Sequence, residues 1–263
     1  MARSLNESRV GHHVSIVDRC MVVRLDRPDA ANALDVETCA SLSCTFDHFA
    51  EDPDLRVAVV TGAGERHFCA GLDLRTMQPG QRVVLPPTGF AGLTSRLIHK
   101  PVIAAVNGTA LGGGFELALA CDIIIADPDA CFGLPEPRVG QAALAGGLIR
   151  LSLSIGKHRA MDIILSGRTI TGKEGSEMGF VSRLSAPGAA LEKALDVAQD
   201  IAAAAPLAIQ ASKAVALAHE RAQHLLAIQE KPPKAVEVML DSKDAQEGAA
   251  AFLAKRTPHW QGR

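Results

Sequence analysis

A strand, a glycine turn and a helix follow one another in the middle of this chain. The apolar run Val102–Val106 is short enough for a buried strand, and Asn107-Gly108 interrupts it. Glycines occupy 112–114, and residues 115–120 favour a helix. The first four N–H groups of a helix have no partner within it, and glycine carries no side chain. This arrangement therefore aims free N–H groups at one point, where a ligand oxygen can approach the backbone.

The glycine turn suits an oxyanion better than a phosphate. No Lys-Ser or Lys-Thr pair follows the glycines, as a P-loop requires, and Leu117 occupies the place of a dinucleotide fingerprint's third glycine. Glu116 stands where a bound phosphate would want a cation, whereas a carboxylate beside an oxyanion hole serves proton transfer. Two simpler interpretations stay open. The glycines can serve only helix–strand packing, and Glu116 can be a first-turn glutamate that favours the helix dipole.

A second segment repeats this arrangement and completes a set of motifs. Residues 67–74 follow a strand-like run at 57–60 and a glycine-rich turn. The motifs, in chain order, are HFCAGLDL at 67–74, NGTALGGGFELA at 107–118 and FGLPE at 132–136. Together they resemble the crotonase family, the enoyl-CoA hydratase and isomerase group, and the resemblance extends from residue 25 to the tail.

The resemblance implies an α/β fold, a crotonase-like spiral of stacked ββα units. Residues 1–188 would form the core with the CoA and acyl site, and residues 189–263 a C-terminal helical oligomerisation region. The helical tail carries long Ala, Leu and Ile faces that a monomer would leave in water. We therefore expect a homotrimer or a dimer of trimers.

The resemblance also implies roles for individual residues. Leu72 and Gly113 would donate backbone N–H groups to a thioester oxygen, and Glu116 and Glu136 would share the proton transfers. The substrate- and CoA-binding residues would be Ala31, Ala70, Asp73, Leu74 and Lys255. Taken alone, Glu136 also fits an exposed loop carboxylate, Asp73 a helix cap and Lys255 a solvated helix end.

These residues predict an enzyme, an enoyl-CoA hydratase that reversibly hydrates a 2-enoyl-CoA thioester. A carnitinyl-CoA dehydratase, or another acyl-CoA dehydratase or isomerase of the family, is the alternative that residues 89–94 and the tail favour. Ala143 and Leu144 replace a proline and a glycine of mitochondrial-type hydratases, so this wall of the acyl pocket differs. An RNA-binding homologue and a pseudoenzyme scaffold fit less well, since aromatic residues are scarce and both glutamates are present.

The composition of the chain limits the partners it can bind and the cellular compartment expected for it. A net charge of −2 gives no overall cationic surface for nucleic acid. The six cysteines form no C-x-x-C pair and no zinc spacing, the start lacks the apolar region of a signal peptide, and no apolar run is long enough to span a bilayer. We expect a cytoplasmic protein that binds no membrane, metal or redox cofactor, with coenzyme A carried as part of the substrate.

Capping signals and breakers predict the local elements. Asp35 should cap a helix that runs to about residue 49, and Thr171 with Glu174 has the spacing of a capping box. The remaining expectations are a loose segment at 1–12, a loop at 75–92, helices at 94–99 and 207–229, a break at 231–234, a last strand at 180–184 and a closing helix begun by Asp244.

Overall fold

The computed structural model describes residues 6–76, 87–218, 220 and 233–262. Its strands are β1 (Asn6–Arg9), β2 (His12–Val17), β3 (Cys20–Leu25), β4 (Val57–Gly62), β5 (His67–Cys69), β6 (Val102–Val106), β7 (Thr109–Leu111), β8 (Ile123–Ala126), β9 (Cys131–Gly133), β10 (Thr169–Thr171) and β11 (Arg183–Leu184). Its α-helices are α1 (Val36–Glu51), α2 (Gly113–Ala120), α3 (Gly147–Ile155), α4 (Lys157–Ser166), α5 (Gly172–Met178), α6 (Ala190–Ala203), α7 (Pro206–Ala216), α8 (Lys234–Leu240) and α9 (Lys243–Leu253). Short 3-10 helices lie at Pro28–Ala30, Leu74–Thr76, Phe90–Gly92 and Glu136–Val139.

The chain passes back and forth between two sheets. The larger sheet has the strand order β1-β2-β3-β4-β6-β8-β11, and the smaller one has the order β10-β9-β7-β5. Strands β1 to β3 form antiparallel hairpins, whereas β3, β4, β6, β8 and β11 run parallel. From β4 to β9, each strand of the larger sheet is followed by one strand of the smaller sheet. This stacking of repeated units confirms the predicted α/β spiral.

Strand β4 shows why the larger sheet is covered on both faces. Every residue of Val57–Gly62 is buried, as is typical of a central parallel strand. Because side chains alternate between faces, Val57 and Val59 join the core layer under α6. Ala58 and Val60 join the layer on the opposite face, with residues of α1 and α2. The small residues of α6 that lie on the sheet are Ala190, Ala194, Val197 and Ala198.

Polar contacts hold the C-terminal helices to the sheet. Lys213 Nζ lies 2.6 Å from Asp122 Oδ2 and donates to the Lys100 carbonyl at 2.8 Å. Arg56 donates to the Ala202 carbonyl at 2.8 Å. The C-terminal segment therefore packs on the core through α6 and through these contacts. The predicted domain boundary at 188–189 stays a prediction. Within the described ranges, no helix combines the length and apolar character needed to cross a membrane.

The predicted helix at 94–99 is wrong. Residues 94 and 95 form a turn, and 96–99 have no regular structure. A helix would use the Thr94 carbonyl internally, but that oxygen accepts a hydrogen bond from Arg150 Nη2 at 2.8 Å. Pro101 disfavours a helical conformation at Lys100, so a helix could not continue past residue 99. The helical turn lies earlier instead, at Phe90–Gly92.

The two predicted N-terminal caps are confirmed. Asp35 Oδ1 accepts the Thr38 N–H at 2.8 Å at the start of α1, which ends at residue 51 rather than near 49. Thr171 and Glu174 form a reciprocal capping box at the start of α5. Both caps satisfy N–H groups that a helix start leaves unpaired.

Other expectations need adjustment. Residues 6–9 are not loose, because β1 pairs with β2. The last strand covers Arg183–Leu184 and not all of 180–184. The closing helix begins at Lys243, one residue before the predicted Asp244, because the Ser242 hydroxyl accepts the Ala245 N–H and caps it. The loop at 75–92, the helix at 207–229 and the break at 231–234 each lie partly outside the described residues.

Candidate active site

The glycines that precede and begin α2 have different surroundings. Gly112 adopts a left-handed φ of 54° and donates its N–H to the Gly133 carbonyl at 3.0 Å. A Cβ on Gly114 would lie 1.9 Å from the Cys69 carbonyl oxygen, so Gly114 permits close packing of α2 on β5. A Cβ on Gly113 would meet the ring of Phe90 at 3.0 Å. Packing therefore explains Gly114, whereas Gly113 faces a side chain that can move.

The second predicted N–H donor lies on a neighbouring segment. The Leu34 N–H donates to Gly71 at 2.8 Å, and the Asp73 N–H donates to Leu34 at 2.9 Å. Because N–H groups alternate along an extended chain, the N–H of Leu72 points away from Leu34. A Cβ on Gly71 would lie 3.0 Å from the Gly113 nitrogen, so the two segments touch. Across the described residues, neither the Leu72 nor the Gly113 N–H donates to a backbone carbonyl.

Glu116 is a carboxyl group inside the protein. Its side chain projects from the first turn of α2 and is 4% exposed. Oε1 accepts the Gly147 N–H at 2.8 Å, and a Cβ on Gly147 would lie 2.8 Å from Glu116 Cγ. Burial, followed by the negative charge of Glu136, raises the pKa of Glu116 to about 8. An ordinary first-turn glutamate would be solvated and ionised, so Glu116 departs from the simpler interpretation.

Glu136 begins the 3-10 helix that follows β9. Its Oε1 lies beside Gly112, where a Cβ would be 3.2 Å away. Its Oε2 is buried and has no hydrogen-bond partner among the described residues. Burial raises the pKa of Glu136 to about 7. An unpaired buried oxygen of this kind is costly, and it is available to a bound water or substrate group.

The two glutamates form one titrating pair near the start of α2. Glu136 contacts the glycine turn, Glu116 follows that turn by one helical turn, and the charge of Glu136 disfavours ionisation of Glu116. Coupled carboxyl groups release their protons in two steps that belong to the pair. One protonated and one ionised carboxyl can thus coexist near neutral pH, which suits paired acid and base catalysis.

Four of the five predicted CoA-binding residues lie on two neighbouring segments, which are joined by backbone hydrogen bonds. Ala31 has a left-handed φ of 53°, and its carbonyl accepts the Ala70 N–H at 3.1 Å. Asp73 is buried and pairs with Arg27 and Arg75, and the Arg75 guanidinium holds the pKa of Asp73 below its usual value. Leu74 begins the 3-10 helix that comes next.

Lys255 is the fifth predicted residue, and the helix before it contacts the 3-10 helix that Leu74 begins. It lies just past the end of α9, is exposed, and has a left-handed φ of 51°. Its side chain makes no hydrogen bond or ion pair within the described ranges. Its neighbour Arg256 instead pairs with Glu247 at 2.6 Å.

Comparison with known proteins identifies the family. The family described as Enoyl-CoA hydratase/isomerase matches residues 16–263. The chain belongs to this family. Carnitinyl-CoA dehydratase from Proteus mirabilis (strain HI4320) is 40% identical over 261 residues, 95% of this chain and 98% of that protein.

Solved structures of the enoyl-CoA hydratase/isomerase family agree with this placement. A carnitinyl-CoA hydratase from Mycobacterium avium superposes with a TM-score of 0.87 at 36% identity, covering 97% of this chain and 100% of its own. An enoyl-CoA hydratase from Mycobacterium tuberculosis H37Rv gives a TM-score of 0.75 at 37% identity. The match covers 96% of this chain and 99% of that one. The predicted crotonase family is thereby confirmed.

The sequence patterns gave no site role to three side chains that border the candidate site. Asn32 is fully buried with a left-handed φ of 54°, and its amide bonds the Arg27 N–H and two carbonyls, which fixes the segment before Leu34. Phe90 lies against Gly113. Arg150 contacts the turn that binds Glu116. The signal for Arg150 was a charged residue inside the otherwise apolar start of α3.

Proposed function

We propose that the chain catalyses the reversible hydration of a 2-enoyl-CoA thioester, as a hydro-lyase. The observation that carries this proposal is the pair of buried carboxyl groups, Glu116 and Glu136, with raised pKa values beside the glycine turn. Hydration needs one group to take a proton from water and another to give one to the α-carbon. A half-protonated pair supplies both without changing its total number of protons.

The thioester oxygen would lie between the N–H groups of Leu72 and Gly113. Negative charge develops on that oxygen when hydroxide adds to the β-carbon. Two fixed N–H donors stabilise it, each worth about 3 kcal/mol in comparable sites. The unpaired donors and the contact between Gly71 and Gly113 support this assignment. Ala31, Ala70, Asp73 and Leu74 would border the CoA part of the substrate, and Lys255 would approach its phosphates.

A second candidate substrate is carnitinyl-CoA, dehydrated to the corresponding enoyl thioester. The similarity to carnitinyl-CoA dehydratases at about 40% identity over nearly the full chain supports it. The chemistry is the same reaction in the opposite direction, so the same glutamates and N–H donors would serve.

Turnover of crotonyl-CoA and of crotonobetainyl-CoA by the purified protein tests both candidates. Loss of the enoyl-thioester absorbance measures the rate, and the Glu116→Gln variant is the control. Faster turnover of crotonyl-CoA supports a simple enoyl-CoA hydratase, and faster turnover of crotonobetainyl-CoA supports the dehydratase. If neither absorbance falls faster than with the control, the proposed function is wrong.

We also propose that the chain assembles as a trimer or a dimer of trimers, in the cytoplasm, with no metal or redox cofactor and no nucleic-acid partner. Support for assembly comes from α7, which has no buried residue in this chain as described. Leu207 and Val215 on this helix are 78% and 80% exposed. Large exposed apolar side chains on one helix are typical of an interface.

A further inference from the structure

Arg150 connects three separate parts of the chain near the paired glutamates. It lies in α3, and its side chain is 11% exposed. Its guanidinium donates to the Ala145 carbonyl at 3.1 Å, to the Thr94 carbonyl at 2.8 Å and to Glu220 Oε1 at 2.8 Å. A planar fork with several donors fixes such a junction better than the single ammonium of a lysine.

The contact with Ala145 joins Arg150 to the turn that hydrogen-bonds Glu116. The Gly147 N–H donates to Glu116 Oε1 at 2.8 Å, and the backbone of Ala145 also hydrogen-bonds this carboxyl. The Arg150 N–H donates to Gly146 at 3.0 Å. The turn at 145–147 is therefore held by Arg150 on one side and donates to Glu116 on the other.

We propose that Arg150 is a positioning residue, whose guanidinium fixes the 145–147 turn against Glu116 and, through Glu220, couples the C-terminal helical region to that carboxyl. This inference rests on the proposed function, because it takes Glu116 as a proton-transferring group. Glu220 lies beyond α7, in the region predicted for oligomerisation, so this ion pair is one route by which movement of that region can reach the site.

The charges that face Glu116 determine the direction in which each variant should shift its pKa. Glu136, on its 3-10 helix, disfavours the ionised form of Glu116, and Arg150, on α3, favours it. The backbone hydrogen bonds from Gly147 and Ala145 also favour the ionised form. Removal of Arg150 should raise the pKa of Glu116, and removal of the Glu220 charge should lower it. If Arg150 and Glu220 had only a structural role, both variants would lose stability, but the pKa of Glu116 would not shift in opposite directions.

Three variants separate charge from positioning. In Arg150→Met, we expect the pKa of Glu116 to rise, because a positive charge that favours the ionised carboxylate is lost. We expect kcat to fall about tenfold or more, with KM little changed. In Arg150→Lys the charge remains and the fork is lost, so kcat should fall while the pKa stays near that of the wild type. In Glu220→Gln the pKa should move downward. Arg168→Met removes a comparable arginine, paired with Asp162 and Glu174, and is the matched control.

Infrared absorption of the protonated Glu116 carboxyl measures its pKa without turnover, and loss of the band in Glu116→Gln assigns it. The inference is overturned if Arg150→Met and Glu220→Gln titrate like the wild type, or if Arg150→Lys keeps full kcat per folded molecule. These results are distinct from a failure of the proposed function, in which the wild type itself would not hydrate enoyl-CoA while the carboxyl band would still titrate. Melting temperatures of each variant correct turnover for the folded fraction.

Discussion

Replacement of Gly113 by alanine tests whether the glycine turn serves catalysis. The new Cβ would meet Phe90 Cε1 and Cζ at 3.0 Å, so either the ring or the start of α2 must shift by a few tenths of an ångström. The backbone of Gly113 is not in the left-handed region, so alanine adds no φ strain there. If the helix start moves, the predicted N–H donor moves with it and loses part of the about 3 kcal/mol of oxyanion stabilisation. We expect kcat/KM to fall between about tenfold and a hundredfold.

Gly114→Ala is the matched control one residue further on. Its Cβ would lie 1.9 Å from the Cys69 carbonyl oxygen, a clash of backbone with side chain that no rotamer change relieves. Overpacking of this kind typically costs about 1–3 kcal/mol of stability or more. Gly114→Ala should therefore lower the melting temperature strongly, whereas Gly113→Ala should lower turnover more than stability.

The assay is turnover of the preferred enoyl-CoA per folded molecule, with the melting temperature measured on the same preparation. A third variant, Gly113→Ala with Phe90→Leu, removes the ring atoms that the new methyl group meets. It should recover part of the lost turnover, as expected for residues in contact. The reasoning is refuted if Gly113→Ala has a lowered melting temperature and normal turnover, because the glycine would then serve packing alone.

Three further predictions concern Glu136, His12 and the assembly. Glu136→Gln should keep the fold and lower turnover by about a hundredfold, the scale of a lost general acid or base, and near-normal kcat would contradict the two-glutamate mechanism. Burial lowers the pKa of His12, whose ring bonds Thr45 at 2.8 Å, so the free energy of unfolding should decrease as the pH falls below about 6.5. Urea unfolding at pH 7.5 and 5.5 measures this difference in stability. If His12→Gln loses as much stability between the two pH values as the wild type, His12 is not its cause. Light scattering at micromolar protein should give a trimer or hexamer mass, and a monomer mass would disprove the predicted assembly.

Local sequence signals correctly predicted the elements that are stabilised by contacts between residues close together in the chain. Asp35 and Thr171 cap the helices that follow them because the capped N–H groups lie within three residues. Strand β1 was missed, since Asn6–Arg9 has no apolar residue and is held by pairing with β2. The helix predicted at 94–99 does not form, and the Thr94 carbonyl instead accepts a hydrogen bond from Arg150, 56 residues away. Contacts across such a distance leave no periodic pattern in the sequence.

The sequence predicted the two carboxyl groups of the candidate site but not how they are brought together. The motifs pointed to Glu116 and Glu136, but only the order of β7 and β9 in the smaller sheet brings their segments together. The burial that raises their pKa values follows from that arrangement and from the 145–147 turn. Lys255 had a motif position too, but its exposed side chain past a helix end is not fixed by packing, so its predicted contact with CoA stays a prediction.

The buried glutamate should cost this protein stability, and this cost is measurable without any substrate. In the unfolded chain Glu116 would release its proton near pH 4.5, whereas in the folded protein its pKa is raised to about 8. The folded state therefore holds more protons between these pH values, and the free energy of unfolding should decrease as the pH rises from about 4.5 to about 8.

Glu116→Gln removes this dependence while an amide oxygen can still accept the Gly147 N–H. The variant should match the wild type near pH 5 and exceed it at pH 9, by on the order of a few kcal/mol from the size of the shift. Glu65→Gln, at an exposed loop carboxylate, is the control and should show no such gain. Chemical denaturation at both pH values measures the difference. Equal stability of Glu116→Gln and wild type at pH 9 would mean that Glu116 ionises freely in the folded protein, and that its burial does not hold the proton required for acid catalysis.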